Sequence, residues 1–181
     1  MKGLFTIVLL LGWASAGSAQ IVTGLATYWS DSFREWIIYT DDENEEGELR
    51  LRWADSGNWK EWDFRLGEIS GQIRQKWPND PNAWELWADN ETVAARTVFP
   101  NDFREWRITW RGKQLTFKSK YGNILEEWGL RNSTDGEFNV FTRFEGDPRE
   151  WTVADELDDA YPFGVRLMMA FLATFHATPK N

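Results

Sequence analysis

The chain has 181 residues, a net charge of −9, a pI near 4.7 and no cysteine. The acidic balance excludes a general nucleic-acid binder, which needs a basic footprint to displace counterions. Without thiols there is no disulfide framework, so stability must come from a hydrophobic core, and the length suits one domain.

Residues 1–19 read as a secretory signal peptide. Lys2 supplies the positive start, Leu4 to Trp13 a short apolar stretch, and Ala14-Ser15-Ala16-Gly17-Ser18-Ala19 the small residues that precede a cut. Ala16 and Ala19 both satisfy the cleavage pattern, and Ala19 is preferred. The apolar stretch is short of the ~20 residues a bilayer span requires. An exported, periplasmic or extracellular protein with no stable membrane span and one domain over 20–181 is therefore expected.

Thirteen tryptophans punctuate the chain. The dipeptide Glu-Trp recurs at 35–36, 61–62, 105–106, 127–128 and 150–151, and Trp84 stands midway across the gap between Trp62 and Trp106. Six units of about 23 residues result. Each unit reads as two strands. Trp36-Ile37-Ile38-Tyr39 and Trp106-Arg107-Ile108-Thr109-Trp110 favour extended backbone, and turns rich in Gly, Asp and Asn follow. The return strands then alternate: Leu49, Leu51 and Trp53 share one face, with Arg50 and Arg52 on the other. Leu115 and Phe117 oppose Thr116 and Lys118, and Phe138 and Val140 oppose Asn139 and Phe141. The fold class is all-β and antiparallel, with one buried face.

Arg34, Lys60, Arg104 and Arg149 stand two residues before a repeated Trp, on the same side of the strand, where a cation can lie over an indole face. The tryptophans themselves are either a ladder of sugar-binding platforms or a repeated inward-packing device. Regular recurrence favours the second, with each indole N–H finding an internal acceptor.

The pattern changes after Ala154. Pro162 suits a helix start, and residues 162–176 are apolar on nearly every side apart from Arg166. Such a helix must be enclosed by protein, and Arg166 then needs a carboxylate or carbonyl partner. About twelve strands closed around a filling helix would leave no sheet edge exposed. The six hairpin-like units across Thr27–Thr152, with the helix Pro162–Phe175, resemble the tubby-like barrel superfamily, which includes the LURP-one-related proteins and the phospholipid scramblases. The resemblance is architectural: it implies a twelve-stranded antiparallel barrel around a hydrophobic C-terminal helix and assigns no residue a role. The Gly-rich pattern of MORN-type repeats is absent, and the length is too short for a propeller. A lipocalin-like barrel or open sandwich, the remaining rival, would carry the helix outside.

Catalytic chemistry is sparse. His176 is the sole histidine and reads as a solvated residue near the terminus. No nucleophile elbow, phosphate loop, dinucleotide fingerprint or His-based metal spacing occurs. Glu105, Glu127 and Glu150 are candidates for a glycosidase-type pair, but each repeats the unit pattern. The acidic run Asp41–Glu48 fits an EF-hand loop at several positions and fails at the twelfth, which is Trp53. Asn90 and Asn132 open glycosylation sequons at expected turns. No catalytic residue, metal or cofactor is assigned, and no particular binding residue. The expectation is a non-catalytic barrel that binds or supports. The alternatives are a carbohydrate-binding module using exposed Trp, or a lipid-interacting barrel whose basic cleft would draw on Arg50, Arg52, Arg65, Arg74 and Lys118.

Overall fold

The computed structural model describes residues 21–88, 90–131 and 133–180. The expected signal peptide and Asn132 lie outside the described residues. Twelve strands run β1 (Val22–Trp29), β2 (Ser32–Thr40), β3 (Glu46–Trp53), β4 (Asn58–Leu66), β5 (Ile69–Gln75), β6 (Ala83–Ala88), β7 (Glu91–Thr97), β8 (Glu105–Trp110), β9 (Lys113–Tyr121), β10 (Ile124–Leu130), β11 (Gly136–Phe144) and β12 (Asp147–Leu157). Each pairs antiparallel with its neighbours in sequence, and β1 closes on β12 through Gly24↔Thr152, Leu25↔Trp151 and Ala26↔Glu150. A Cβ at Gly24 would lie 2.7 Å from the Trp151 carbonyl oxygen, so the seam closes only over a glycine. Asn90 turns β6 into β7 at φ 62°, a left-handed value that Asn tolerates.

One helix, α1 (Phe163–Ala177), follows β12, with Pro162 at its N-cap. Twelve consecutive residues, Phe163 to Thr174, are buried. An eight-strand barrel is filled by its own side chains, whereas twelve strands enclose a wider space, and α1 occupies it. Gly164 marks the closeness of the fit: a Cβ there would lie 2.9 Å from Leu86 Cδ2. The helix is enclosed, as its sequence requires, and the lipocalin-like arrangement with an outer helix does not occur.

Trp36, Trp62, Trp84, Trp106, Trp128 and Trp151 all point inward and are 0–3 % exposed. Their rings and the helix form one aromatic interior. Phe171 lies 5.7 Å from Trp62 and 5.1 Å from Trp84, and Phe175 lies 4.9 Å from Trp84. Five of the six donate the indole N–H to the carbonyl three residues earlier: Phe33, Trp59, Phe103, Leu125 and Pro148, at 2.8–3.1 Å. Trp84 departs from the rule. Its Nε1 is buried with no hydrogen-bond partner among the described residues.

Arg166 is wholly buried and fully engaged. Its Nε donates to Asp155 Oδ2 at 2.7 Å, Nη2 to the carbonyls of Leu157 (2.9 Å) and Asp158 (3.3 Å), and Nη1 to the Tyr161 carbonyl. The ion pair ties the first turn of α1 to the end of β12, beside the point where the chain turns into the barrel. Burial pushes the Asp155 carboxyl above its ordinary pKa, and Arg166 opposes that shift.

Removing one partner of a buried ion pair strands the other, so Asp155→Ala should cost about 3–5 kcal/mol in urea unfolding, and the apolar double variant Asp155→Leu/Arg166→Met distinctly less. A single variant as stable as the double would contradict this. Trp106→Phe strands the Phe103 carbonyl, whereas Trp84→Phe strands nothing. The first should be the more destabilising by about 1 kcal/mol.

Candidate functional site

The six hairpins at one end of the barrel join β1–β2, β3–β4, β5–β6, β7–β8, β9–β10 and β11–β12. Each carries the same block. It opens on a large aromatic, Trp29, Trp53, Trp77, Phe99, Tyr121 or Phe144, seven residues before the buried Trp in five units and nine before it in the second. The two extra residues there accommodate a single 3₁₀ turn, Ala54–Ser56, ended by Gly57 at φ 67°. Four residues before the buried Trp, a short polar side chain caps the turn. The Oγ of Ser32 and the Oδ1 atoms of Asn58, Asp80, Asp102 and Asp147 accept the backbone N–H two residues on, at 3.0–3.3 Å. Ile124 takes this place in the fifth unit and stands 53 % exposed.

The opening aromatics are the unexpected feature. Each continues the inward-facing parity of its strand, as in Leu49-x-Leu51-x-Trp53, Leu115-x-Phe117-x-Ser119-x-Tyr121 and Phe138-x-Val140-x-Thr142-x-Phe144. Yet all six are 50–60 % exposed. Alternation alone places Trp53 with the core residues Leu49 and Leu51. The structure corrects this: the register shifts between Leu51 and Trp53, and the indole turns out to donate to Glu61 Oε2 at 3.0 Å. Similar shifts precede Trp29 and Phe144, and bulges at barrel rims re-aim side chains in this way. With Tyr28 and Ile124, eight of the ten exposed large hydrophobic side chains among the described residues gather at this rim.

Four bases beside the rim are matched, while Asp31, Asp55 and Glu145 stand exposed on the same hairpins. Arg52, Lys76, Lys120 and Arg143 directly precede rim aromatics and lie 5.5–6.0 Å from those rings. They pair respectively with Asp63 (3.3 Å), Glu85 (2.7 Å), Glu127 and Glu150 (2.5 Å). The glutamate of the repeat is thus a partner on the outer wall, accepting from a base or, at Glu35 and Glu61, from a rim indole. Glu105 faces Arg131 at 3.4 Å. Glu105, Glu127 and Glu150 therefore occupy equivalent places around the wall and do not converge on one cleft.

The four bases two residues before a repeated Trp, Arg34, Lys60, Arg104 and Arg149, reach partners other than that indole. Arg104 grips Asp102 with two bonds of 2.7 Å, and Arg149 grips Asp147 similarly. The guanidinium bond holds Asp102 down to about 2 and lowers Asp147 as well. Arg34 reaches Trp59, Lys60 reaches Asn79 and Arg104 reaches the Gly122 carbonyl, each in the next hairpin along. These side chains fasten neighbouring hairpins together.

The bases of the expected cleft are divided between places on the wall. Arg50, Arg52 and Arg65 line a furrow of about 530 Å³ interleaved with Glu48 and Asp63, Lys118 borders a separate cavity with Lys120 and Arg131, and Arg74 covers Trp87 at 3.9 Å. At the far end, Asp42 Oδ1 accepts from both nitrogens of Asn44, so the acidic run is closed as a turn. No cluster of three or more His, Cys, Asp or Glu able to hold a metal occurs among the described residues. No helix among them is long and apolar enough to cross a membrane.

His176 corrects the expectation of a solvated terminus. It lies at the rim end of α1, stacked on Phe103 (4.9 Å between rings, 8° apart) and on Trp106 (5.2 Å). Its Nε2 is buried without a partner among the described residues. Burial, with Lys180 nearby, lowers its pKa to about 3. It borders a shallow cavity of about 410 Å³ with Pro100, Phe103 and Leu125. The ring is a packing element, neutral throughout the physiological range.

Comparison of the chain with known protein families, with curated proteins and with solved structures finds no match.

Because the folded protein holds His176 neutral, its contribution to stability is complete above about pH 6.5 and declines as pH falls toward 3. The slope from this one group is about 1.4 kcal/mol per pH unit. His176→Phe keeps the stack without a titrating nitrogen. The stability of the wild type relative to this variant should fall steadily between pH 6 and pH 4 in urea titrations. A pH-independent difference would refute the assignment.

Proposed function

We propose that this protein is an exported, non-catalytic binding module whose binding surface is the aromatic rim. One observation carries the reading: six strands of a single barrel bring an inward-parity aromatic past the edge of the core and leave at least half of it in water. Large apolar side chains exposed together at one place mark interaction surfaces. The export part rests on residues 1–19. The non-catalytic part is supported by the dispersal of the repeat glutamates around the wall and by the stacking of the histidine on Phe103 and Trp106.

The architecture of twelve strands around a C-terminal helix supports kinship with the tubby-like barrels, although their headgroup-binding chemistry would need a clustered basic surface. A glycan-binding role gains support from Trp29, Trp53 and Trp77, which stand on three successive hairpins and offer stacking faces.

The test is a binding panel of immobilised oligosaccharides and lipid vesicles, run with the wild type and with the rim variant Trp29→Ser/Trp53→Ser/Trp77→Ser. The wild type should bind at least one member, and the variant should bind it at least about tenfold more weakly, about 1.4 kcal/mol, with thermal stability little changed. Binding that survives the triple change would place the site elsewhere, and wild-type binding to neither class would remove the reading.

A further inference from the structure

The rim has a geometry, a chemistry and an electrical setting that together narrow its partner. Adjacent strands lie ~4.8 Å apart, so rim hairpins, two strands from one another, follow at about 10 Å around a closed curve. A straight oligosaccharide laid across such a ring meets two or three aromatics. A flat partner meets all six.

The residue types point the same way. Trp and Tyr suit a boundary between water and hydrocarbon, with an apolar body and a polar tip. Phe99, Phe144 and Ile124 add exposed apolar surface, 53–60 % open, with no hydrogen-bonding group. Ile124 stands where the other units place a turn-capping polar residue, and an aliphatic side chain has no stacking face for a sugar.

Charge separates the two ends of the barrel. The end opposite the rim carries Asp41, Asp42, Glu43, Glu46, Glu68 and Asp159 against the bases Arg111, Lys113 and Arg131, all exposed, whereas the rim hairpins expose three acids, Asp31, Asp55 and Glu145. At the rim the four bases behind the aromatics are paired with carboxylates. The wall between is polar, with Arg50, Arg65, Arg96 and Arg107 exposed, unlike the apolar band of a barrel that spans a bilayer. Immersion would therefore stop at the hairpin tips.

We propose that the barrel docks end-on against the surface of a lipid bilayer with zwitterionic headgroups, its aromatic rim inserted at the headgroup level and its acidic end facing away. This rests on the reading of the rim as the binding surface and names its partner. Attachment depends on apolar insertion by the whole ring, with no net basic charge to draw it in. A second copy fits less well, because two such rings would meet only tip to tip.

The experiment is co-sedimentation of the mature protein, residues 20–181, with phosphatidylcholine vesicles. Two rim variants, Trp29→Ser/Trp53→Ser/Trp77→Ser and Phe99→Ser/Tyr121→Ser/Phe144→Ser, are compared with Trp87→Ser, whose indole is exposed on the wall away from the rim. The wild type and Trp87→Ser should partition alike. Each rim variant should lose about tenfold or more. Raising the salt from about 0.1 to about 0.5 M, which shortens the screening length about twofold, should change partitioning by less than about twofold.

Loss of binding in high salt, or binding only to vesicles containing anionic lipid, would overturn the proposal in favour of charge-driven attachment. Retention on an immobilised oligosaccharide without vesicle partitioning, abolished in the rim variants, would overturn the lipid partner and keep the rim as the binding surface. A dimer that the rim variants dissociate, again without vesicle partitioning, would replace the bilayer with a second copy. A Trp87→Ser loss equal to that of the rim variants would remove the rim reading itself.

Discussion

Twelve strands closed into a barrel enclose more space than their own side chains can fill, and the placement of α1 in that space is what the rest of the structure depends on. The helix can be apolar on all sides because every side meets wall. The wall tryptophans can be buried because Phe171, Phe175 and His176 supply surfaces for them to pack on. The one charge the helix brings inside, Arg166, enters with its carboxylate and three carbonyl acceptors already beside it. Closure also leaves no unpaired strand edge, which explains how the chain does without covalent staples.

Filling the centre has a consequence for function. A barrel that holds a ligand needs an open interior, and here the interior is occupied by side chains at near-zero exposure. Recognition is left to the outer wall and the two ends. The wall is a mosaic of acidic and basic side chains, the far end is acidic and closed into hydrogen-bonded turns, and the rim gathers most of the exposed aromatic surface. Rigidity favours the rim in this role. Each of its aromatics sits on a hairpin fixed by a buried indole, most by a polar cap as well, and several hairpins are fastened to the next by Arg or Lys. Little side-chain and loop ordering would be needed on contact.

Much of this was legible in the sequence, because the strongest constraints repeat. The Glu-Trp period marked the hairpins, period-2 alternation marked the buried face, and the all-round apolar segment after Tyr161 marked the enclosed helix together with the partner Arg166 requires. The rim was harder to read for a physical reason. Parity says which face a side chain is on and is silent on where the barrel ends, so Trp53 reads as core beside Leu49 and Leu51 until the register shift before it is seen. A signal was present all the same: an aromatic stands seven residues before five of the six repeated tryptophans, and the 3₁₀ turn hides the sixth. His176 was misplaced because nearness to the chain end suggests solvent, whereas α1 ends among Phe103 and Trp106. The Trp84 unit carries one visible irregularity, since it alone lacks the glutamate before the Trp; its Asp80-Pro81 turn does not explain the absent acceptor, because Asp147-Pro148 supplies one to Trp151.

One closed barrel sorts its aromatics into two classes, a ring sealed against the helix and a rim held in water. Hydroxyl-radical footprinting read by mass spectrometry resolves the tryptophans individually and tests this sorting in the folded protein. Trp29, Trp53 and Trp77 should oxidise rapidly, while Trp36, Trp62, Trp84, Trp106, Trp128 and Trp151 stay protected until the protein unfolds. Oxidation of the repeated tryptophans at the rate of the rim tryptophans would contradict the account.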